Sequence, residues 1–475
     1  MQPNKLYLNG EWIATDQSLE IINPATEETI GRVCTIDRDG VKTALNHARD
    51  AFEGWRSLPA KTRADYLLSI ASKMNDRGEE IAKTIIQENG KPLAESRTEV
   101  AVAVDHFRWF AEECRRSYGR WIPNQVAGKR HLVIKSPVGV VGAISPWNFP
   151  LFLSARKIAP ALAAGCPVIH KPSELTPLCA IAMAQAIDDA DIPKGVFQLI
   201  LGDAKMIGEE MLENPICRKI TFTGSTAVGK SLIRGAAADV KKLSLELGGQ
   251  APLIVFDDAD LNRAVEGALA AKFRNAGQSC IAANRFYVQR GIYDRFVEAF
   301  VARVRAMKVG DGLEAGVEIG PMVRERGLQS ALAQVQDAID RGAKLMCGGK
   351  RLARKGFFLE PTVLANVAVD SLCMREETFA PVAPIVQFTE ESEAIRMAND
   401  SWAGLSAYCF TSNLDRAFRV MERLEAGTIG INDGVPSTSI APFGGLKQSG
   451  WGRELGSEGL DAFLETKHVS FGMSE

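Results

Sequence analysis

From Val138 onward, short apolar runs alternate with longer stretches of helical period. VGVVGAIS precedes a helical pattern over Leu151 to Ala164, PVIHK precedes one over Leu178 to Ala190, and VFQLIL follows. The rhythm continues through KITFTG, a helix from about Ser225 to Ala238, LSLELGG, APLIVF and a helix from about Leu261 to Arg274. Apolar strands of this kind, separated by helices, predict a parallel sheet covered on both faces. Past Cys280 the pattern restarts, with RFYVQ as a strand and Tyr293 to Met307 as a helix, and runs on to about Gly430. Two α/β domains are expected. The N-terminal part supplies LYLNGEW as a short strand and polar amphipathic helices around 41 to 119, and KHVSF makes a strand near the end. No fixed-period repeat or Gly/Ser linker interrupts the series.

One segment qualifies this picture. Ser136 to Ala155 carries no charge and is about long enough to span a bilayer at roughly 20 residues. It also holds Pro137, Pro146, Asn148 and Pro150, and Pro-Trp-Asn-Phe-Pro makes a poor membrane helix. A buried strand followed by a functional loop is expected instead. Met1 to Trp12 has no apolar signal core.

Composition narrows the classes further. A length of 475 residues suggests about three structural units, and 46% hydrophobic against 24% charged residues excludes a disordered chain. The 56 Lys+Arg nearly balance 58 Asp+Glu without a basic block, so no nucleic acid or membrane partner is expected, only a small molecule or another copy. Nine scattered cysteines with no CxxC pair argue against a disulfide framework or a zinc site, and a reducing cytoplasm fits them best. No metal is expected.

Among those cysteines Cys280 stands out, because Asn275-Ala-Gly-Gln-Ser-Cys280 places a thiol on a tight turn after a helix. A reactive thiol needs such access, although a buried cysteine is more often a small hydrophobe. Glu246 is a lone carboxylate in the apolar frame Leu243 to Gly249. At a strand end facing a cleft its pKa would rise and suit a general base; on an edge strand it would merely face water. Asn148, flanked by prolines, offers a rigidly mounted amide for an oxyanion, or simply a turn. Phe222-Thr-Gly-Ser-Thr-Ala-Val-Gly-Lys-Ser231 follows an apolar strand and opens a helix whose N–H groups can receive a phosphate. Gly224 to Ser231 also satisfies G-x-x-x-x-G-K-[ST], and LIVFDD resembles a magnesium-supporting strand. A P-loop ATP-binding protein is thus the formal rival, one that leaves Cys280, Glu246 and Asn148 unused. The five histidines include no HxxxH pair, and no G-x-S-x-G elbow occurs.

PWNFP, KPSE, FTGS, LELGG, GQSC, EETFAPV and PFGGLKQSG occur in the order seen in the aldehyde dehydrogenase superfamily, which the chain resembles over nearly its whole length. The resemblance implies Cys280 as nucleophile, Glu246 as general base, and Asn148 with the Cys280 N–H as oxyanion hole. It implies Lys171 and Glu174 as ribose contacts, Gly224 and Ser225 at the pyrophosphate, Glu377 and Phe379 at the nicotinamide ribose, and Trp147 lining the same cleft. The cofactor is expected to be NAD, with NADP also usable, since Glu174 would repel a 2′-phosphate. A positive local potential or the bound cofactor should lower the Cys280 pKa. The implied architecture is α/β: a Rossmann-like NAD-binding domain over 1–117 and 137–248, an α/β catalytic domain over 249–447, and a small β oligomerisation extension over 118–136 and 448–475. Such an extension builds a homodimer or homotetramer. A catalytically silent structural member of the same fold remains the alternative.

Within the superfamily, FRWFAEECRRSYGR (107 to 120) and KFRNAGQSC (272 to 280) look most like succinate-semialdehyde dehydrogenases. That likeness implies a small anionic aldehyde whose carboxylate is held by Arg156 and Arg274, with Ser437 adding a hydroxyl. Two departures stand against the subgroup pattern. Ala282 replaces a second cysteine, so no thiol switch is expected, and the loop Val435 to Ile440 differs. Glutarate semialdehyde, 2-oxoglutarate semialdehyde or a sulfonated aldehyde are the other candidate substrates.

Overall fold

In the computed structural model, which describes residues 5–474, the apolar runs form two largely parallel sheets joined by helices. Residues 1–4 and 475, the outermost parts of the expected terminal segments, lie outside the described residues.

The first sheet has eight strands in the spatial order Glu11–Ile13, Leu6–Leu8, Phe197–Leu199, Val168–Lys171, Val140–Ile144, Cys217–Thr223, Lys242–Glu246 and Gly450–Trp451. Its five central strands run parallel. Of the helices between them, Phe152–Ala164, Leu178–Asp188 and Thr226–Ala236 follow the sequence periodicity to within a few residues, while Ala204–Glu213 was not expected. LYLNGEW is not one strand but a hairpin: Asn9 and Gly10 take φ of 50° and 77°, and Leu6 to Leu8 pair with Ile13 to Glu11. Asn-Gly is the sequence that tolerates two consecutive positive φ angles, which a tight hairpin needs.

The second sheet has seven strands, ordered Lys344–Cys347, Thr362–Ala365, Val382–Phe388, Ala283–Gln289, Ala251–Val255, Ser406–Phe410 and Thr428–Ile431. Along its middle strands alternate residues enter different cores. Leu253, Phe286 and Tyr408 join one cluster, while Ile254, Tyr287 and Cys409 join another. Both faces are therefore covered, which explains why these strands read as unbroken apolar runs.

A third, antiparallel sheet consists of Arg120–Ile122, Lys129–Pro137 and the tail strand Leu464–Gly472, which pairs with Lys129–Pro137 along its full length. Gly450–Trp451, placed by the sequence in the extension, instead completes the edge of the first sheet beside Leu245 and Glu246. The strand of the tail itself begins only at Leu464. Among the described residues no helix is long and apolar enough to cross a membrane, and Ser136 to Ala155 divides into strand, loop and helix. No group of three or more His, Cys, Asp or Glu side chains there is placed to hold a metal ion.

The parallel strands of the first sheet deliver their carboxyl ends to one edge, where Ile144, Lys171, Thr223 and Glu246 terminate. Loops leaving that edge are the regular place for a ligand in an open α/β sheet.

Candidate active site

The turn that carries Cys280 is held against its own strain. After the helix Leu261–Phe273, residues Asn275, Ala276 and Gly277 take φ of 53°, 53° and 71°. For the two non-glycine residues such a conformation costs on the order of 1–3 kcal/mol each and persists only under outside constraint. The constraint is visible: the Asn275 N–H donates to the Glu95 carboxylate at 2.8 Å, and its Nδ2 donates to the Asn148 carbonyl at 2.7 Å. Gln278 bonds the Pro321 carbonyl and the Val323 N–H, and the Tyr408 hydroxyl donates to the Ile281 carbonyl at 2.6 Å. Cys280 emerges half-buried, while seven of the other eight cysteines are fully buried and none is bonded to another.

Asn148 lies in the loop after Val140–Ile144. Its Nδ2 donates to the Gln278 carbonyl at 3.1 Å, and its own carbonyl accepts from Lys91 Nζ at 2.7 Å. A primary amide has two N–H donors, so one is left after the bond to Gln278. Glu246 ends its strand only 3% exposed, with Oε2 lacking any hydrogen-bond partner. It faces a buried site, not water. Burial first, and then the nearby Glu454, push its pKa well above the usual carboxylate range, against the pull of Lys157, Arg156 and Arg453.

Two cavities meet at Cys280. One, of about 190 Å³, is bordered by Trp147, Asn148, Thr223, Gly224, Ser225, Leu247, Gly248, Glu377 and Phe379. The edge of the Trp147 ring meets Phe379 at 5.4 Å, and Glu377 accepts from the Gly249 N–H at 2.9 Å. Ser225 caps the helix Thr226–Ala236, whose first N–H groups open beside this space. Lys171 and Glu174 stand together, Nζ to Oε2 3.0 Å, at the end of the neighbouring strand. The wall suits the phosphate-bearing part of a dinucleotide: the buried Thr223 Oγ1 has no protein partner, and a helix N-terminus there can receive a phosphate.

The P-loop reading fails here. Gly229, Lys230 and Ser231 already lie inside the helix, the Gly229 N–H is spent on the Ser225 carbonyl at 3.0 Å, and Lys230 reaches Gln448. Asp258 follows a strand of the other sheet and is taken by Thr411 and Arg416. No phosphate cradle forms around Lys230.

The second cavity, about 240 Å³, is bordered by Phe149, Phe152, Arg156, Arg274, Ser437 and Phe443, with Cys280 at its end. Phe149 and Phe152 stack at 4.8 Å; Arg274 lies 5.2 Å from the first ring and Arg156 5.2 Å from the second. The aromatic pair thus carries a guanidinium at each end, a favourable contact with the ring faces. Arg156 is 4% exposed, its Nε has no partner, and its nearest carboxylate is Glu454 at 4.0 Å. It is a buried cation with spare hydrogen-bonding capacity, not a solvated helix face.

The thiol itself departs from the sequence expectation. Burial and the carboxylates Glu377 and Glu246 outweigh Arg156 and Arg274, so the Cys280 pKa is pushed up to about 12. The two arginines lower it, as positive potential should, but not enough. Sequence reasoning also missed Lys157 and Glu454, which pair at 2.6 Å behind Glu246, and His106 on the cavity wall. A lysine beside Arg156 in an otherwise apolar helix was the available signal for the first.

A cavity at the carboxyl edge of a parallel sheet thus meets a cationic cavity at one thiol, an arrangement compatible with a dinucleotide-dependent enzyme. The model of the Aldehyde dehydrogenase family matches residues 12–469, and the chain belongs to that family. It is 46% identical over 468 residues to the succinate-semialdehyde dehydrogenase [NADP(+)] GabD of Escherichia coli (strain K12), covering 98% of this chain and 97% of the relative. It is also 46% identical to the glutarate-semialdehyde dehydrogenase of Pseudomonas aeruginosa, with the same coverage of 98% and 97%. A crystal structure of succinate-semialdehyde dehydrogenase from Burkholderia pseudomallei superposes with a TM-score of 0.98 at 46% identity, covering 99% of this chain and 98% of that one. The chain is an NAD(P)-dependent aldehyde-oxidising enzyme, not a silent structural member.

Proposed function

We propose that the enzyme oxidises a short aldehyde ending in an anion, succinate semialdehyde first and glutarate semialdehyde next, to the corresponding acid. The observation that carries this reading is the pair Arg156 and Arg274 on the cavity that ends at Cys280. Two guanidinium groups recognise a carboxylate or sulfonate by charge-assisted hydrogen bonds, which an uncharged aldehyde cannot return. The 46% identity to enzymes named for succinate and glutarate semialdehyde supports the same substrate class. A 2-oxoglutarate semialdehyde or sulfonated aldehyde presents the same terminal charge.

In this reading the Cys280 thiol first gives up its proton, and the thiolate attacks the aldehyde carbon. The resulting oxyanion accepts hydrogen bonds from the free N–H of Asn148 and from the Cys280 backbone. Bound NAD(P) supplies the hydride acceptor. A thioester on Cys280 remains, and Glu246, held above the carboxylate range by burial, takes the proton of the water that hydrolyses it. Lys171, Glu174, Gly224, Ser225, Glu377, Phe379 and Trp147 hold the dinucleotide. Glu174 is ionised beside Lys171, which favours NAD; its half-exposed side chain can turn outward to admit NADP. The three-stranded sheet is assigned to self-association into a dimer or tetramer, and the nine free cysteines suit a cytoplasmic setting.

The test follows cofactor reduction with succinate semialdehyde and with uncharged butyraldehyde. Arg274→Leu should raise KM for the acidic aldehyde by on the order of 10–100-fold, as expected for a lost charged hydrogen bond, and leave butyraldehyde nearly unaffected. Equal effects on both substrates would remove the arginine clamp.

A further inference from the structure

The last turn of the helix Leu261–Phe273 carries a lysine that the chemistry described above leaves without a task. Lys272 is 0% exposed and lies just before the strained residues Asn275 to Gly277 that lead to Cys280. Its Nζ donates to the Thr378 hydroxyl at 3.1 Å and reaches the Asn284 Oδ1 at 3.5 Å, both neutral oxygens rather than a carboxylate. Thr378 in turn donates to the Asn284 Oδ1 at 2.8 Å, and all three side chains are buried. Burial lowers the Lys272 pKa to about 7, against the pull of Cys373 and Glu377. Taking an ammonium out of water is costly, and for packing alone an apolar side chain of the same length would serve better.

Thr378 stands between Glu377 and Phe379, two of the residues on the wall of the cavity beside Gly224 and Ser225. That segment is constrained from several sides. Glu377 accepts from the Gly249 N–H at 2.9 Å. Phe379 takes a φ of 47°, which a bulky residue holds only where its surroundings impose it. A Cβ on Gly277 would stand 2.2 Å from the Ala380 carbonyl oxygen, so the backbone of the turn leading to Cys280 lies directly against the residue after Phe379. The bond from Lys272 to Thr378 ties the helix before that turn to the middle of the segment. We propose that Lys272 is a positioning residue for the cofactor: through Thr378 it holds Glu377 and Phe379 in the arrangement that receives the nicotinamide ribose. The inference rests on the reading that assigns Glu377 and Phe379 to that ribose, and adds to it the residue that sets their place.

Calorimetry on the full-length enzyme would compare NAD with ADP, which carries the adenosine and both phosphates but lacks the nicotinamide ribose. Lys272→Met keeps the length of the side chain and removes the ammonium. It should weaken NAD binding about tenfold, the scale of one charged hydrogen bond, and leave ADP within about twofold of wild type. Thr378→Val, of nearly the same shape, should act in the same direction. The double variant should lose no more than the larger single loss, because the two side chains act in one chain of contacts. Unchanged NAD affinity in both single variants, an equal loss for NAD and ADP, or additive losses in the double variant would overturn the role of Lys272. Glu377→Ala separates this inference from the reading beneath it. Selective weakening of NAD in Glu377→Ala, with none in Lys272→Met, removes Lys272 alone; no selective weakening in Glu377→Ala removes the nicotinamide-ribose assignment, and the inference with it.

Discussion

Cys280 combines access with a high pKa, and that pairing has a measurable consequence. Glu377 is the charge that raises it most, and Glu377 titrates at about 7, lifted by burial and partly restrained by the Gly249 N–H and Lys272. Above that value Glu377 is negative and disfavours the thiolate. In the free enzyme, alkylation of Cys280 by iodoacetamide should therefore be slow near neutrality and accelerate on the order of tenfold per pH unit as the pH rises toward the pKa of about 12. Glu377→Gln removes a negative neighbour, which lowers the thiol pKa, so it should speed alkylation severalfold at about pH 8. Unchanged or slower alkylation in that variant would contradict the electrostatics. At this scale much was legible in the sequence, because Cys280, Glu246 and Asn148 each sit in a short run of unusual composition. Glu454 and Lys157 were not, since the two lie far apart in sequence and meet only because Gly450–Trp451 closes the first sheet beside Glu246.

Single elements set the site geometry through close approaches. A Cβ on Gly249 would stand 2.0 Å from the Cys280 carbonyl oxygen, so Gly249→Ala must displace the turn that carries Cys280. Misplacement of this order costs on the order of 10²-fold in kcat, and steady-state kinetics should show that loss with the circular dichroism spectrum retained. At the helix Thr226–Ala236, Ser225 accepts from the Val228 N–H; Ser225→Ala should lower stability by about 1 kcal/mol in chemical denaturation and weaken cofactor binding together. Loss of stability with unaltered cofactor affinity would separate the cap from the nucleotide site. The long strands and helices were readable from periodicity because burial on both faces leaves an uninterrupted apolar run. The short pairs were not. Ser18–Ile22 is only five residues long and Thr29–Cys34 does not alternate, and the hairpin at Asn9-Gly10 hid inside what looked like one strand.

At the scale of the molecule, two cavities meet at one sulfur between the two large sheets, and a third sheet stands apart. The tail strand Leu464–Gly472 is paired along its whole length with Lys129–Pro137. Ending the chain after Phe463 would expose that edge, and light scattering should then report a smaller assembly than the full-length protein forms, if the sheet carries self-association. The two-sheet plan was legible from the repeated strand and helix rhythm; the way the tail contributes to two sheets was not, because Gly450–Trp451 is too short to register as a strand. The central claim, a thioester on Cys280 resolved by Glu246, is tested most directly by trapping it. Glu246→Gln would be mixed with NAD and succinate semialdehyde, followed by rapid-quench absorbance and peptide mass spectrometry. The account predicts a single burst of about one reduced cofactor per subunit, then near-arrest, with a succinyl group on the peptide that carries Cys280 and none in Cys280→Ala. Sustained turnover in Glu246→Gln, or a burst with no modified Cys280 peptide, would contradict it.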